Sequence, residues 1–298
     1  MAAASNALFP PDFLNRLEYL SLLSKRVFAG QLMAQKRTRQ LGGGVEFADH
    51  RQYDPGDDFR HLDWNLYARH GELLLKRFQE EQDLHVYLLI DASKSMATGT
   101  PPKFDLARRV AAALAYIALA DLDRVAVVAF AGGVVEEMPL TRGKGRVLAL
   151  LQFLERLEAG GEDTNLSNLV GEFLLRGRRS GLVAVLSDFY DPAGFSAPLS
   201  KLRHGGHEPH VVQIYDAAEA DPGFLGDVEL TDVETGRAVK RTVTEKDLRR
   251  YREAFDGFRK ELAAFCRSRG WGHTTSRSDV PFDDLVVSMM RGANLVQG

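Results

Sequence analysis

Cysteine is almost missing from this chain. Cys266 is the only one in 298 residues, which excludes an internal disulfide and fits a reducing compartment. Long apolar runs are missing too, with none near the roughly 18 residues that a bilayer span requires. The start, Met-Ala-Ala-Ala-Ser-Asn, lacks the basic head and apolar stretch of a signal peptide. The expectation is a soluble cytoplasmic protein without a membrane span. There is no excess of positive charge, since 38 Lys and Arg face 41 Asp and Glu for a formal net charge of -3. No global basic field therefore argues for nucleic acid, and the clusters Lys36-Arg37-Thr-Arg39 and Arg176-Gly-Arg-Arg179 read as solvated faces. No Gly-x-Gly-x-x-Gly follows a strand, and Gly143-Lys-Gly145 lacks the spacing of a phosphate loop. A Gly-x-Ser-x-Gly elbow is absent. His204, His207 and His210 are three apart but straddle Gly205-Gly206 and Pro209, so no single helix presents them to a metal. A nucleotide-using enzyme is unsupported.

What is present is alternation. With 45% hydrophobic residues the chain can bury a substantial core. Residues 10 to 35 read as a helix, with Phe13, Leu17, Leu20, Leu23 and Val27 at spacings of three and four. Leu41-Gly-Gly-Gly44 ends that stretch, and Tyr53-Asp-Pro-Gly-Asp-Asp58 is dense turn chemistry. From Leu84 onward strands and helices alternate. Strands are expected at Leu84–Asp91, Arg124–Phe130, Gly181–Ser187, Pro209–Tyr215 and Trp271–Ser276. Helices are expected at Phe104–Ala120, Arg146–Leu157, Leu166–Leu175 and Pro281–Met290. Gly132-Gly133 turns the chain into Val134–Met138 as a hairpin. Asp227–Leu230 and Val239–Val243 form a second, surface hairpin. Thr244 and Asp247 resemble a capping box, followed by an apolar stripe of Leu248, Tyr251, Phe255, Phe258, Leu262 and Phe265 that reads as core packing. The pattern implies an α/β fold: a doubly wound, mostly parallel sheet with helices on both faces and one antiparallel edge hairpin. An N-terminal helix and irregular segment, residues 1–80, is expected to pack on a main domain of residues 81–298.

One segment carries chemistry. Leu84-His-Val-Tyr-Leu-Leu-Ile-Asp91-Ala-Ser93-Lys-Ser95 is a buried strand ending in Asp-x-Ser-x-Ser, three hard oxygen ligands on one tight loop. Magnesium suits such a set, because it takes oxygen donors with only one or two carboxylates. In open α/β sheets the crevice at the strands' C-terminal ends is where ligands bind. Two further oxygen-rich loops, Gly160-Gly-Glu-Asp-Thr164-Asn and Ser187-Asp188-Phe-Tyr-Asp191, would lie beside it. This arrangement resembles a von Willebrand factor A domain with its metal-ion-dependent adhesion site. The resemblance implies that Asp91, Ser93, Ser95, Thr164 and Asp188 share one divalent cation, Mg2+ or else Mn2+ or Ca2+, with an open position for a partner's acidic side chain. The second loop also offers Glu162 and Asp163. Lys94 inside the first loop would weaken cation affinity. A plainer alternative is that Ser93 and Ser95 cap the following turn and Asp188 caps a helix.

Before the sheet stands a second signature: Glu46-Phe47, Arg51-Gln-Tyr53, Pro55-Gly56-Asp57-Asp58-Phe-Arg60-His-Leu-Asp63-Trp64. With the metal loops, over about residues 40 to 190, it resembles the bacterial von Willebrand A-like family catalogued as domain of unknown function 58. Members of that family resemble accessory partners of MoxR-type AAA+ ATPases, a chaperone-like class. The residues themselves suggest that Arg51, Asp57, Arg60 and Asp63 form a network pinning a mostly irregular segment, with Tyr53 and Trp64 as its apolar anchor. As a docking surface, the same segment would expose its arginines. The leading expectation is a non-enzymatic protein-interaction module that captures a partner's carboxylate through a divalent cation, the partner being a MoxR-type AAA+ ATPase or its client. The competing class is a metal-dependent hydrolase in which Asp188 or Asp191 activates a metal-bound water. A third is a structural domain with a vestigial site.

Overall fold

The computed structural model describes residues 8–28, 41–79, 83–161 and 164–295, and of 25–28, 41–49, 77–79 and 292–295 the backbone alone. Two compact units emerge, one of residues 1–24 with 84–298 and one of residues 25–83. The first helix, α1 (Phe13–Phe28), therefore groups with the large unit through Ser24. The expected helical stretch beyond residue 28 lies outside the described residues.

In the small unit, β1 (Leu41–Gln52) pairs antiparallel with β2 (Leu74–Gln79). Between them come a 3-10 turn at Phe59–His61 and the short helix α2 (Trp64–His70). The expectation of a mostly irregular signature segment is corrected here, since residues 41–52 form a ladder with β2. Asp63 caps α2, accepting from the amides of Asn65 and Leu66 at 3.0 and 3.2 Å, and this satisfies donors that a helix start leaves open.

The large unit is a mixed α/β body on a six-stranded sheet. Five strands are parallel: β3 (His85–Asp91), β4 (Arg124–Phe130), β6 (Leu182–Ser187), β7 (Glu208–Tyr215) and β10 (Gly272–Arg277). The edge strand β5 (Val134–Arg142) runs antiparallel to β4. The sheet order is β10-β7-β6-β3-β4-β5, so the chain begins in the middle, builds to one edge, then returns to build the other. A separate antiparallel hairpin joins β8 (Gly226–Thr231) to β9 (Ala238–Val243).

The central strands are continuous apolar runs because both of their faces are covered. Tyr87, Leu88, Leu89 and Ile90 are all fully buried. Strand side chains alternate in direction. Tyr87 and Leu89 join a core cluster with Leu169 and Phe173 of α5 (Leu166–Leu175), Leu199 and Leu202 of α6 (Ser196–His204), and Leu262 and Cys266 of α8 (Glu245–Arg267). Helix α3 (Lys103–Ala120) contacts β3, β4, β6 and β7 and also packs on α4 (Val147–Arg156) and α9 (Phe282–Leu295). Its small alanines let it lie close to the sheet. The capping box at Thr244 and Asp247 opens α8 as the spacing predicts. Of the stripe that follows, Leu248, Phe255 and Leu262 are buried, whereas Tyr251 is exposed and is not core. Among the described residues no helix is long and apolar enough to cross a membrane.

Candidate metal centre

Strand β3 ends at Asp91, between Phe130 of β4 and the end of β6. The reversal of strand order falls between β3 and β6, which leaves a crevice at their C-terminal ends. Asp91 is fully buried, because neighbouring strands flank it on both sides. Its Oδ1 accepts from the Ser93 amide at 3.0 Å. Its Oδ2 accepts from the Ser187 hydroxyl at 2.6 Å and from the Thr164 hydroxyl at 3.3 Å. Ser93 Oγ and Ser95 Oγ stand 3.0 Å apart. Asp91, Ser93, Ser95 and Thr164 thus converge from two loops. Those loops are stitched by backbone: the amides of Gly160 and Gly161 donate to the Ala92 carbonyl at 2.9 and 3.1 Å. Gly161 is required there, since a Cβ would meet the Ala131 Cβ at 2.4 Å. Glu162 and Asp163, the other candidates of that loop, lie outside the described residues.

Asp188 follows β6 and is buried next to Asp91. Its oxygens are already engaged: Oδ2 accepts from Lys103 Nζ at 2.7 Å and Oδ1 from the Tyr190 amide at 3.1 Å. Lys103 sits at the start of α3 with its side chain fully buried, and it also pairs with Glu219 of the one-turn helix α7 (Ala217–Ala220). Burial opposes the Lys103 charge, but Asp188 and Glu219 together outweigh it and hold the ammonium above its ordinary value. Burial, then the charge of Asp188, push Asp91 up to about 7 despite its hydrogen bonds to Ser187 and Ser93. The cavity thus disfavours two carboxylate charges without a further cation.

Lys103 and Glu219 lie outside the oxygen-rich loops that the sequence marks, and Ser187 stands in one of them but is not among the five expected ligands. Lys103 had one signal, since it shares a helical face with the buried Ala107, Val110 and Ala111. Asp191, the alternative base, is structural: it accepts from the amides of Leu166 and Ala193 at 2.7 and 2.8 Å. Asp188 caps no helix, and no side-chain cap bond is made at the short 3-10 turn beginning at Ser95.

The donors suit a small hard cation. Octahedral bonds of about 2.0–2.1 Å separate adjacent ligands by about 3.0 Å, which matches the Ser93–Ser95 spacing. Among the described residues no three His, Cys, Asp or Glu side chains group as a metal cluster; the set is mostly hydroxyl.

The signature residues do not form one network. Arg51 Nη2 pairs with Asp57 Oδ1 at 2.5 Å, and Asp57 also accepts from the Asp54 amide. Arg60 pairs with Asp58 rather than Asp63. Asp63 meets His50 at 3.0 Å and Lys76 at 3.5 Å, and the His50 hydrogen bond leads the contacts that hold it down to about 2. Tyr53 stacks on Phe59, ring centroids 5.3 Å apart. Glu46 lies in β1, with its side chain outside the described residues. Trp64 is 59% exposed and meets Tyr67 edge-on, ring centroids 6.2 Å apart, so most of its ring faces outward rather than into a core. Trp64→Ala is accordingly expected to change unfolding stability by less than about 1 kcal/mol, since exposed positions usually move it by roughly 0.5 and the Asp63 cap bonds to the Asn65 and Leu66 amides do not involve the Trp64 side chain. Urea titration followed by circular dichroism checks this.

Fold and site define a class: a mixed α/β protein with a mostly parallel sheet and a buried, oxygen-rich site where its central strands end. The chain belongs to DUF58, a family described as a protein of unknown function, which matches residues 49–261. It is 26% identical over 230 residues to the uncharacterized proteins Rv1480 of Mycobacterium tuberculosis and Mb1516 of Mycobacterium bovis, covering 76% of this chain and 72% of each relative. Among solved structures it is similar to the conserved hypothetical protein BatB from Bacteroides thetaiotaomicron, with a TM-score of 0.42, 14% identity and coverage of 72% of this chain and 98% of that one. An aerotolerance-related membrane protein from Bacteroides fragilis gives 0.43 and 14%, covering 71% of this chain and 99% of that one.

Proposed function

We propose that this protein is a non-enzymatic interaction module of the doubly wound von Willebrand A type, which binds an acidic side chain of a protein partner through a divalent cation. The observation that carries this reading is the convergence of Asp91, Ser93, Ser95 and Thr164, with Ser93 Oγ and Ser95 Oγ 3.0 Å apart at the end of a central strand. Asp91 would be the direct carboxylate, Ser93, Ser95 and Thr164 the hydroxyl donors, and Asp188 an outer anion shared with Lys103. The cation supplies the positive charge that a partner carboxylate needs. Hydroxyls cannot act as strong bases, and the carboxylates Asp188 and Asp191 are occupied by Lys103 and by backbone amides; this favours adhesion over hydrolysis.

The partner class that the family resemblance implies is a MoxR-type AAA+ ATPase. In the small unit, Phe59, Trp64 and Tyr67 are exposed at 60%, 59% and 44%. Exposed aromatics of this kind are typical anchors of protein interfaces, so the signature segment is read as a docking surface. The test is calorimetric titration and pull-down against a co-encoded ATPase, with magnesium and with chelator. Binding is expected only with the cation, and Asp91→Asn should abolish it in a protein that stays folded by circular dichroism. Equal binding in chelator would remove the cation from the interface and leave the Trp64 surface as its basis.

A further inference from the structure

The tip of the β8–β9 hairpin is a turn held by its own side chains, and most of its residues are exposed. Asp232 Oδ1 accepts from the amides of Glu234 and Thr235 at 2.9 and 2.8 Å, an Asx turn that orders the loop. Gly236 takes a φ of 70°, a conformation glycine reaches without strain. Of residues 231–240, Glu234 alone is not exposed. Its Oε1 accepts from the Ser95 amide at 2.7 Å, and its backbone carbonyl accepts from Lys94 Nζ at 3.0 Å. Both contacts fall inside the Asp-x-Ser-x-Ser loop. Its second carboxylate oxygen, Oε2, is buried and has no hydrogen-bond partner.

A carboxylate oxygen in that condition is costly, because it has lost water and gained no donor. Such an atom calls for an ion or water that completes it. The Lys94 tie fixes the backbone and the Ser95 amide fixes Oε1, so Oε2 is the one atom of this side chain left to ligate. We infer that Glu234 is a cation ligand supplied by the hairpin, filling the position that a partner's carboxylate would take. The inference rests on the metal reading above and deepens it: the site carries its own acidic ligand, and a partner must displace the hairpin tip. Charge acts in the same direction. Asp188 is already paired with Lys103, so with Asp91 and Glu234 as its two acidic ligands the dication's charge is met, and removing Glu234 leaves charge for a partner's carboxylate to meet.

The experiment is calorimetry with magnesium chloride on the full chain, comparing wild type, Glu234→Gln and Asp91→Asn, followed by glutarate as a carboxylate probe at saturating magnesium. Glu234→Gln keeps the side chain's size and an acceptor for the Ser95 amide, and circular dichroism checks that the variant is folded. It is expected to weaken magnesium binding roughly 10- to 100-fold, the range for losing a supporting group at a metal site, and to tighten glutarate binding. Hydrogen exchange at residues 232–236 should slow with magnesium in wild type and not in Glu234→Gln. If wild type binds magnesium, Asp91→Asn does not, and Glu234→Gln binds as wild type does, the metal reading stands and the role of Glu234 is overturned. If wild type binds no magnesium, the metal reading fails and this inference fails with it.

Discussion

Lys103→Met should destabilise the folded protein by about 3–5 kcal/mol, the scale of breaking one side of a buried ion pair. Its ammonium is fully buried between Asp188 at 2.7 Å and Glu219. Methionine fills a similar volume, so the loss measures charge rather than a cavity. Asp188, fully buried, would be left as an uncompensated anion next to Asp91. Two companion measurements isolate the cause. Adding Asp188→Asn to Lys103→Met should recover part of the loss, because pairs in direct contact are not additive. Magnesium should recover part of it as well, since a dication offers Asp188 another counter-charge. A loss below about 1 kcal/mol by urea titration at pH 7, near what a surface change costs, would mean that Lys103 is not the counter-ion of this site.

The second large effect is a pH dependence. Asp91 rises from 3.8 to about 7 on folding, through burial first and the charge of Asp188 second. A carboxyl raised in the folded state binds its proton more tightly there, so its contribution is full below pH 4 and is lost as pH climbs to 7. Over that window the loss is on the order of 4 kcal/mol, at about 1.36 kcal/mol per unit. Carboxylates held low, such as Asp58 by its Arg60 pairing and Asp63 by His50, run the other way below pH 4, so the comparison must be with Asp91→Asn. In chelator, Asp91→Asn is expected to exceed wild type in stability at pH 8, with the gap closing toward pH 4. Magnesium should raise wild type at pH 8 and leave Asp91→Asn unmoved. Parallel stability curves for the two proteins from pH 4 to 8 would contradict a raised Asp91.

Much of this architecture is legible in local patterns. The runs ending at Asp91 and Ser187 are apolar because neighbouring strands and helices cover them, and continuous burial needs no tertiary knowledge to read. Asp-x-Ser-x-Ser is local too: Asp91 Oδ1 bonds the Ser93 amide two residues on, and Ser93 meets Ser95. Trp64 is the opposite case. An aromatic residue in an apparently irregular stretch suggested an anchor, and only the placement of α2 leaves it exposed.

The sequence by itself determined the alternation of elements, the end of β3 at a carboxylate, and the capping box of α8, since each depends on contacts a few residues apart. Tertiary structure alone decided that Lys103 neutralises Asp188, 85 residues away, and that Glu234 meets Ser95 across 139. It also decided that the Asp91 carboxylate is fully buried beside Asp188. Spacing along a chain carries periodicity and local hydrogen bonding. Which distant charges share one low-dielectric cavity depends on strand order and helix packing, and those exist only once the sheet has assembled.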